Sequence, residues 1–139
     1  MTSSLDTLFD LSLARTQLAR DVDHSLSLHG ISLSDLAILR ELRAEPARKL
    51  RRSELAERLG ITPSGVARQV APLERIGLVS RESHDRDARL ALVVLTDTGT
   101  QIVDEALETG EASADRALAA RWNETERERL SKLLARDRG

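Results

Sequence analysis

No cysteine occurs among the 139 residues, which excludes disulfides, thiolate metal ligands and thiol redox sensing together. Aromatic side chains are almost as scarce, with Phe9 and Trp122 standing alone and no tyrosine at all. A core must therefore be built from Leu, Ala, Ile and Val, a composition that leans helical. No run of about 18 apolar residues is present, and MTSSLDTLFDLSLARTQLARD lacks a basic segment followed by a continuous apolar one. A soluble, cytoplasmic protein without a membrane association is expected. The three histidines, His24, His29 and His84, include no pair at i, i+4 spacing and have no cysteine to join them, so no metal site is expected. There is also no Ser-His-Asp constellation, no glycine-rich phosphate loop and no carboxylate pair set apart by its surroundings. The chain is expected to be neither an enzyme nor a cofactor carrier.

The length suits a single domain with one hydrophobic core, here residues 1–139. A formal net charge of −2 argues weakly against a nucleic-acid partner until it is divided along the chain. Residues 35–92 hold 12 Arg or Lys against 9 Asp or Glu, while the flanks hold 9 against 14. The positive charge is concentrated in the middle, between acidic ends.

Periodicity organises the rest. Leu8, Leu11, Leu18 and Val22 recur at helical spacing within a first helix from Leu5 to about Leu28, stopped by His29-Gly30. Ser32 and Asp35 form a Ser-x-x-acid box at the head of a second helix, with Leu33, Leu36, Leu39 and Leu42 following before Pro46. Ser53 to Leu59 reads as a short third helix, Gly60 as its left-handed end, and Thr62-Pro63 as the N-cap and first residue of a fourth. Leu55, Ala56, Leu59, Ile61 and Val66 fall where these two helices pack, which makes a helix-turn-helix. The fourth helix runs to about Ile76, with a kink expected at Pro72, and Gly77 ends it. Leu78–Glu82 and Arg89–Thr96 read as two strands around a highly charged tip. Asp97-Thr98-Gly99 opens a fifth helix with Ile102, Val103, Ala106 and Leu107 inward, interrupted or bent near Gly110 and resumed to Leu118. A sixth starts from the Asn123–Glu126 capping pair.

The expected fold is mainly α with a small β-hairpin, and a helix-turn-helix followed at once by a hairpin is a winged helix. SELAERLGITPSGVARQVAPLERIGLVSR followed by DRDARLALVVLTDTG, with its Asp87-Ala88-Arg89 step seven residues before Thr96, resembles the MarR family, the multiple-antibiotic-resistance type regulators. The likeness covers nearly the whole chain. It implies a homodimer joined by terminal helices (residues 1–30 and 97–139) around winged helix-turn-helix regions (31–96) that read a mostly palindromic double-stranded operator. Two positions depart from the family pattern: Ala67 stands where Ser or Thr is common, and Pro72 can re-aim the end of the fourth helix.

Physical chemistry picks candidate contacts independently. A helix N-terminus presents unpaired N–H groups and partial positive charge, so Thr62, Ser64 and Gly65 suit a phosphate or groove edge. Arg68 can reach guanine O6 and N7 as a bidentate donor, with Gln69 beside it. At the wing, Arg89 is long enough for a narrow minor groove, Asp87 can orient its guanidinium, and Arg86 joins them. Arg81 and Arg51-Arg52 are candidates for phosphate contact, and Arg40 and Arg43 serve fold or solubility. The plain alternatives are a solvated Arg68 and a turn-stabilising Asp87–Arg89 pair worth under ~1 kcal/mol. Arg15, His24 and Arg40 are proposed to meet an anionic small-molecule effector, and Trp122 reads as a packing residue, with lining of an effector cleft near the dimer core as the alternative. The leading expectation is a ligand-responsive repressor. A winged helix turned protein-interaction module is the alternative, distinguished by whether groove-reaching arginines such as Arg68 and Arg89 are kept.

Overall fold

A computed structural model describes residues 2–84 and 87–136, with side chains described outside 84–90. The elements run in the order α1 (Ser4–Leu26), α2 (Leu33–Ala44), β1 (Lys49–Arg51), α3 (Arg52–Leu59), α4 (Pro63–Arg75), β2 (Val79–His84), β3 (Asp87–Leu95), α5 (Asp97–Ala119) and α6 (Glu124–Ala135). A single 3-10 turn, Ser27–His29, separates α1 from α2 and closes on Gly30. No helix among the described residues is long and apolar enough to cross a membrane.

Helix starts follow the sequence closely, because each is fixed by a local hydrogen bond. The Ser32 hydroxyl accepts from Asp35 N–H at 3.1 Å while the Asp35 carboxylate accepts from Ser32 N–H at 3.0 Å, the reciprocal box the spacing predicts. Asn123 and Glu126 repeat the arrangement on α6. Thr62 caps α4 with Pro63 behind it, and Gly60 closes α3 at φ 67°, a left-handed conformation that costs glycine little.

The core lies between α2, the C-terminal half of α1, the inward face of α5 at Val103 and Ala106, the helix-turn-helix and the sheet. Leu26, Ile38, Leu39, Leu42, Leu55 and Val66 are fully buried in it. Thr96 joins three elements at its edge. Its hydroxyl donates toward the carbonyls of Gly77 and Leu78, at 2.7 and 3.0 Å, and accepts from Gly99 N–H at 3.0 Å. Gly99 then sits so close to the start of β2 that an added Cβ would lie 2.0 Å from the Leu78 carbonyl oxygen.

Two expectations are corrected. The sheet has three antiparallel strands in the order β1-β3-β2, where a two-stranded hairpin was expected. Leu50 pairs with Val93 and is the one inward residue of β1. That strand is followed from its entry residue Arg48, whose φ is 58° and whose guanidinium donates to the carbonyls of Arg43 and Glu45, capping the end of α2. Second, α5 runs unbroken from Asp97 to Ala119. Gly110 marks close packing and no interruption: a Cβ there would come within 3.3 Å of Leu36 Cδ2. α4 runs through Pro72 to Arg75, as the sequence predicts. The hairpin strands pair from Val79↔Leu95 to His84↔Asp87, with a register irregularity between Glu82 and His84, and extend further toward the tip than expected.

Candidate nucleic-acid interface

The candidate interface comes from the division of α4 into two sides. Val66, Val70 and Leu73 are buried, at relative exposures of 0, 2 and 1%, and clamp the helix against α2 and α3. Thr62, Pro63, Ser64 and Arg68 are exposed on the other side. A polar helix face is thereby held outward by an apolar one, as major-groove insertion of a helix N-terminus requires.

At that N-terminus Gly65 N–H donates to Thr62 Oγ1 at 3.0 Å, and Ser64 Oγ lies 3.2 Å from the same oxygen. An added Cβ at Gly65 would approach Thr62 Oγ1 to 3.1 Å, so glycine lets the capping side chain close over the first turn. Pro63, having no N–H, wastes no donor at the first helical position. The exposed hydroxyls and the positive end of the helix dipole lie together at this terminus, an arrangement that suits an anion.

Gln69, by contrast, is half-buried and turned toward α2, with Nε2 3.5 Å from Asp35 Oδ1. Of the pair singled out on α4, Arg68 faces outward and Gln69 flanks the core.

The wing begins with a fixed ion pair. Arg81 donates to Glu74 from Nε at 2.8 Å and from a terminal nitrogen at 3.0 Å, a two-pronged contact from β2 to the last turn of α4. The hydrogen bonds from the guanidinium hold the Glu74 carboxyl below its ordinary value, with burial opposing and the guanidinium charge adding to the lowering. Arg81 is raised in turn, by its hydrogen bond to Glu74 first and the carboxylate charge second. Arg81 is thereby paired with Glu74 at the base of the wing. Lys49 makes a looser contact with Glu82, at 3.6 Å, across the sheet. Asp87 and Arg89 are placed on β3 by the backbone, beyond the described side chains, and Arg86 lies outside the described residues. Arg51 is exposed and Arg52 half-buried at the start of α3.

Arg43 serves the fold, as expected. Its Nε donates to Asp104 on α5 at 2.8 Å, and that hydrogen bond holds the Asp104 carboxyl below its usual range. Arg58 ties α3 to Glu41 and Glu45 at 3.4 and 2.9 Å. His29 Nε2 meets Thr109 Oγ1 at 2.8 Å, and Thr109 in turn faces the Glu105 carbonyl, so the imidazole joins the end of α1 to α5.

The three proposed effector contacts are not brought together. Arg15 lines a groove of about 910 Å³ between α1, α5 and α6, walled by Leu8, Leu11, Leu18, Leu118, Trp122 and Leu130 among others. His24 and Arg40 are exposed and do not line it. Sequence reasoning missed Glu74 as the partner of Arg81 and Asp23 as a second carboxylate at the head of α2, where it accepts from Leu33 N–H at 2.6 Å. Their partners are 7 and 10 residues away, across turns, and no local spacing marks them.

A sequence model of the MarR family matches residues 29–90. An uncharacterised HTH-type transcriptional regulator of Mycobacterium leprae is 36% identical over 97 residues, which are 70% of this chain and 66% of the relative. The chain thus spans just under two thirds of that relative's length. The HTH-type transcriptional repressor MdtR of Bacillus subtilis is 28% identical over 77% of this chain and 70% of its own. Among solved structures, a MarR family transcriptional regulator from Streptomyces coelicolor in complex with DNA is 27% identical, with a TM-score of 0.80 over 97% of this chain and 86% of that one. With a winged helix-turn-helix set between long terminal helices and these matches in sequence and structure, the chain belongs to the MarR family of transcriptional regulators.

Proposed function

We propose that the protein is a homodimeric repressor that binds a palindromic double-stranded DNA operator in the cytoplasm and releases it when a small molecule binds. The observation that carries this reading is the outward face of α4, where Thr62, Ser64 and Arg68 stand exposed over a fully buried opposite side. The likeness to a regulator crystallised with DNA supports the DNA partner, and the likeness to a repressor supports the sign of regulation.

The contacts proposed are Thr62, Ser64 and the Gly65 backbone to phosphate or groove edge, Arg68 to a guanine, and Arg86, Asp87 and Arg89 at the wing. The dimer reading rests on α1 and α6. Leu8, Phe9 and Leu11 are 62, 63 and 51% exposed, and α6 contains no buried residue at all among those described. Large apolar side chains at that exposure call for a partner surface, which apolar helix faces of a second copy would supply. Effector binding is placed near Arg15, whose guanidinium brings a cation to the apolar groove.

Fluorescence anisotropy with the DNA upstream of the protein's own gene tests the reading. Specific binding that weakens steeply with added salt is expected, since counterion release follows local arginine contacts and not the net charge of −2. Equal affinity for that DNA and a scrambled duplex would sink the operator assignment.

A further inference from the structure

Two carboxylates meet the first turn of α2 and hold different things. Asp23, near the end of α1, accepts Leu33 N–H at 2.6 Å. Asp35 spends one oxygen on the capping box, accepting Ser32 N–H at 3.0 Å through Oδ2. Its other oxygen, Oδ1, faces α4, where Gln69 Nε2 lies 3.5 Å away. One half-buried carboxylate is therefore shared between the start of one helix and the flank of another.

Apolar contacts alone leave the azimuth of α4 loosely set, because burial of Val66, Val70 and Leu73 is favourable without being directional. A hydrogen bond to an ionised acceptor is directional. Gln69 follows Arg68 in the helix, so a rotation that takes the Gln69 amide off Asp35 also swings the Arg68 guanidinium. A side-chain tip roughly 8 Å from the helix axis moves roughly 1.4 Å for a rotation of about 10°, enough to break a bidentate base contact. At 3.5 Å the Asp35–Gln69 contact is long, and the restraint it puts on the azimuth of α4 is correspondingly modest.

We propose that Asp35 is a positioning residue of the DNA-reading face. It takes the orientation of the first turn of α2, which Asp23 ties to α1, and imposes it on α4 through Gln69. Gln69 then acts through Asp35 and not on a base. The inference rests on the reading of α4 as the recognition helix and deepens it, by connecting the terminal helix α1 to the azimuth of Arg68.

A carboxylate-amide swap tests it. Gln69→Glu sets two carboxylates against each other, a like-charge pair in a half-buried site. Adding Asp35→Asn keeps an oxygen for Ser32 N–H, turns an amide toward the new carboxylate and restores the original net charge. Binding is measured on a duplex selected from a random pool by the unaltered chain and on a scrambled duplex of the same composition, with a melting temperature for every variant. Gln69→Glu is expected to weaken the selected duplex by about tenfold, with less loss on the scrambled one, and the double variant to return to within about threefold of the unaltered chain. A double variant as weak as Gln69→Glu alone overturns the proposal, since that is how a base-contacting glutamine would behave. If Gln69→Glu does not fold, the folded double variant is compared directly with the unaltered chain by the same threefold criterion. If the unaltered chain selects no duplex, the DNA reading fails on its own. The coupling is then judged by melting temperature, where recovery in the double variant supports the Asp35–Gln69 joint and no recovery refutes it.

Discussion

Arg68 is one exposed side chain in a helix whose neighbours are mostly committed elsewhere. Arg81 is held by Glu74, Arg58 by Glu41 and Glu45, and Arg43 by Asp104. Arg68 makes no ion pair among the described residues and stands on the polar side of α4, which suits a base contact. Arg68→Ala is expected to cost roughly 1 to 3 kcal/mol per half-site on the cognate operator and less on random DNA. Equal losses on both, measured by anisotropy, would mean a phosphate contact only. The wing permits a sharper experiment. If Arg89 enters a minor groove and Asp87 only orients it, Asp87→Ala should weaken binding even though it deletes a negative charge beside DNA. The double variant should then be little worse than Arg89→Ala alone, as for two residues acting as a unit. Tighter binding by Asp87→Ala, or additive losses, would reduce the pair to a solvated turn.

The Glu74–Arg81 bridge works between elements, because it fixes the base of β2 to the end of α4. A carboxyl with a folded pKa below its unfolded value contributes its stability in full above that unfolded value, about 4.3 for a glutamate, and loses it as pH falls through the folded pKa. Glu74 is such a group. The melting temperature of the unaltered chain should therefore exceed that of Glu74→Gln by a constant margin near neutral pH, and the margin should close in acid, below about pH 4. A margin that does not narrow at all as the pH is lowered below about 4 would show that the bridge contributes no pH-dependent stability. Bridges of this kind were not legible in the sequence, whereas helix starts were. Ser32–Asp35, Thr62–Pro63 and Asn123–Glu126 are each settled within four residues by backbone N–H groups that need a partner, so spacing alone reveals them. Strand β1 escaped because three residues with one inward side chain, Leu50, cannot establish an alternation. Arg68 and Gln69 read alike in sequence because adjacency hides the turn of about 100° that separates them around the helix. Gly110 was read as a break because the sequence shows only a poor helix former and not the Leu36 side chain that crowds it.

At the scale of the whole molecule, the core joins the middle of the chain to α5, through Val103 and Ala106, and α1 reaches it only with its last turns, where Val22 and Leu26 are buried. Removing residues 1–28 or 123–139 is expected to give an insoluble or unfolded chain. Sedimentation showing a folded monomer after either cut would overturn the homodimer reading. The exposed leucines of α1 and α6 have a further consequence, in mass action. If the terminal helices are completed only by a second copy, folding and association are one equilibrium, and the folded fraction depends on how much chain is present. The melting temperature should rise with protein concentration over a hundredfold dilution series, where a self-sufficient monomer would show none of that dependence. In a cell the same linkage would make the supply of competent regulator fall faster than its copy number as the chain becomes scarce.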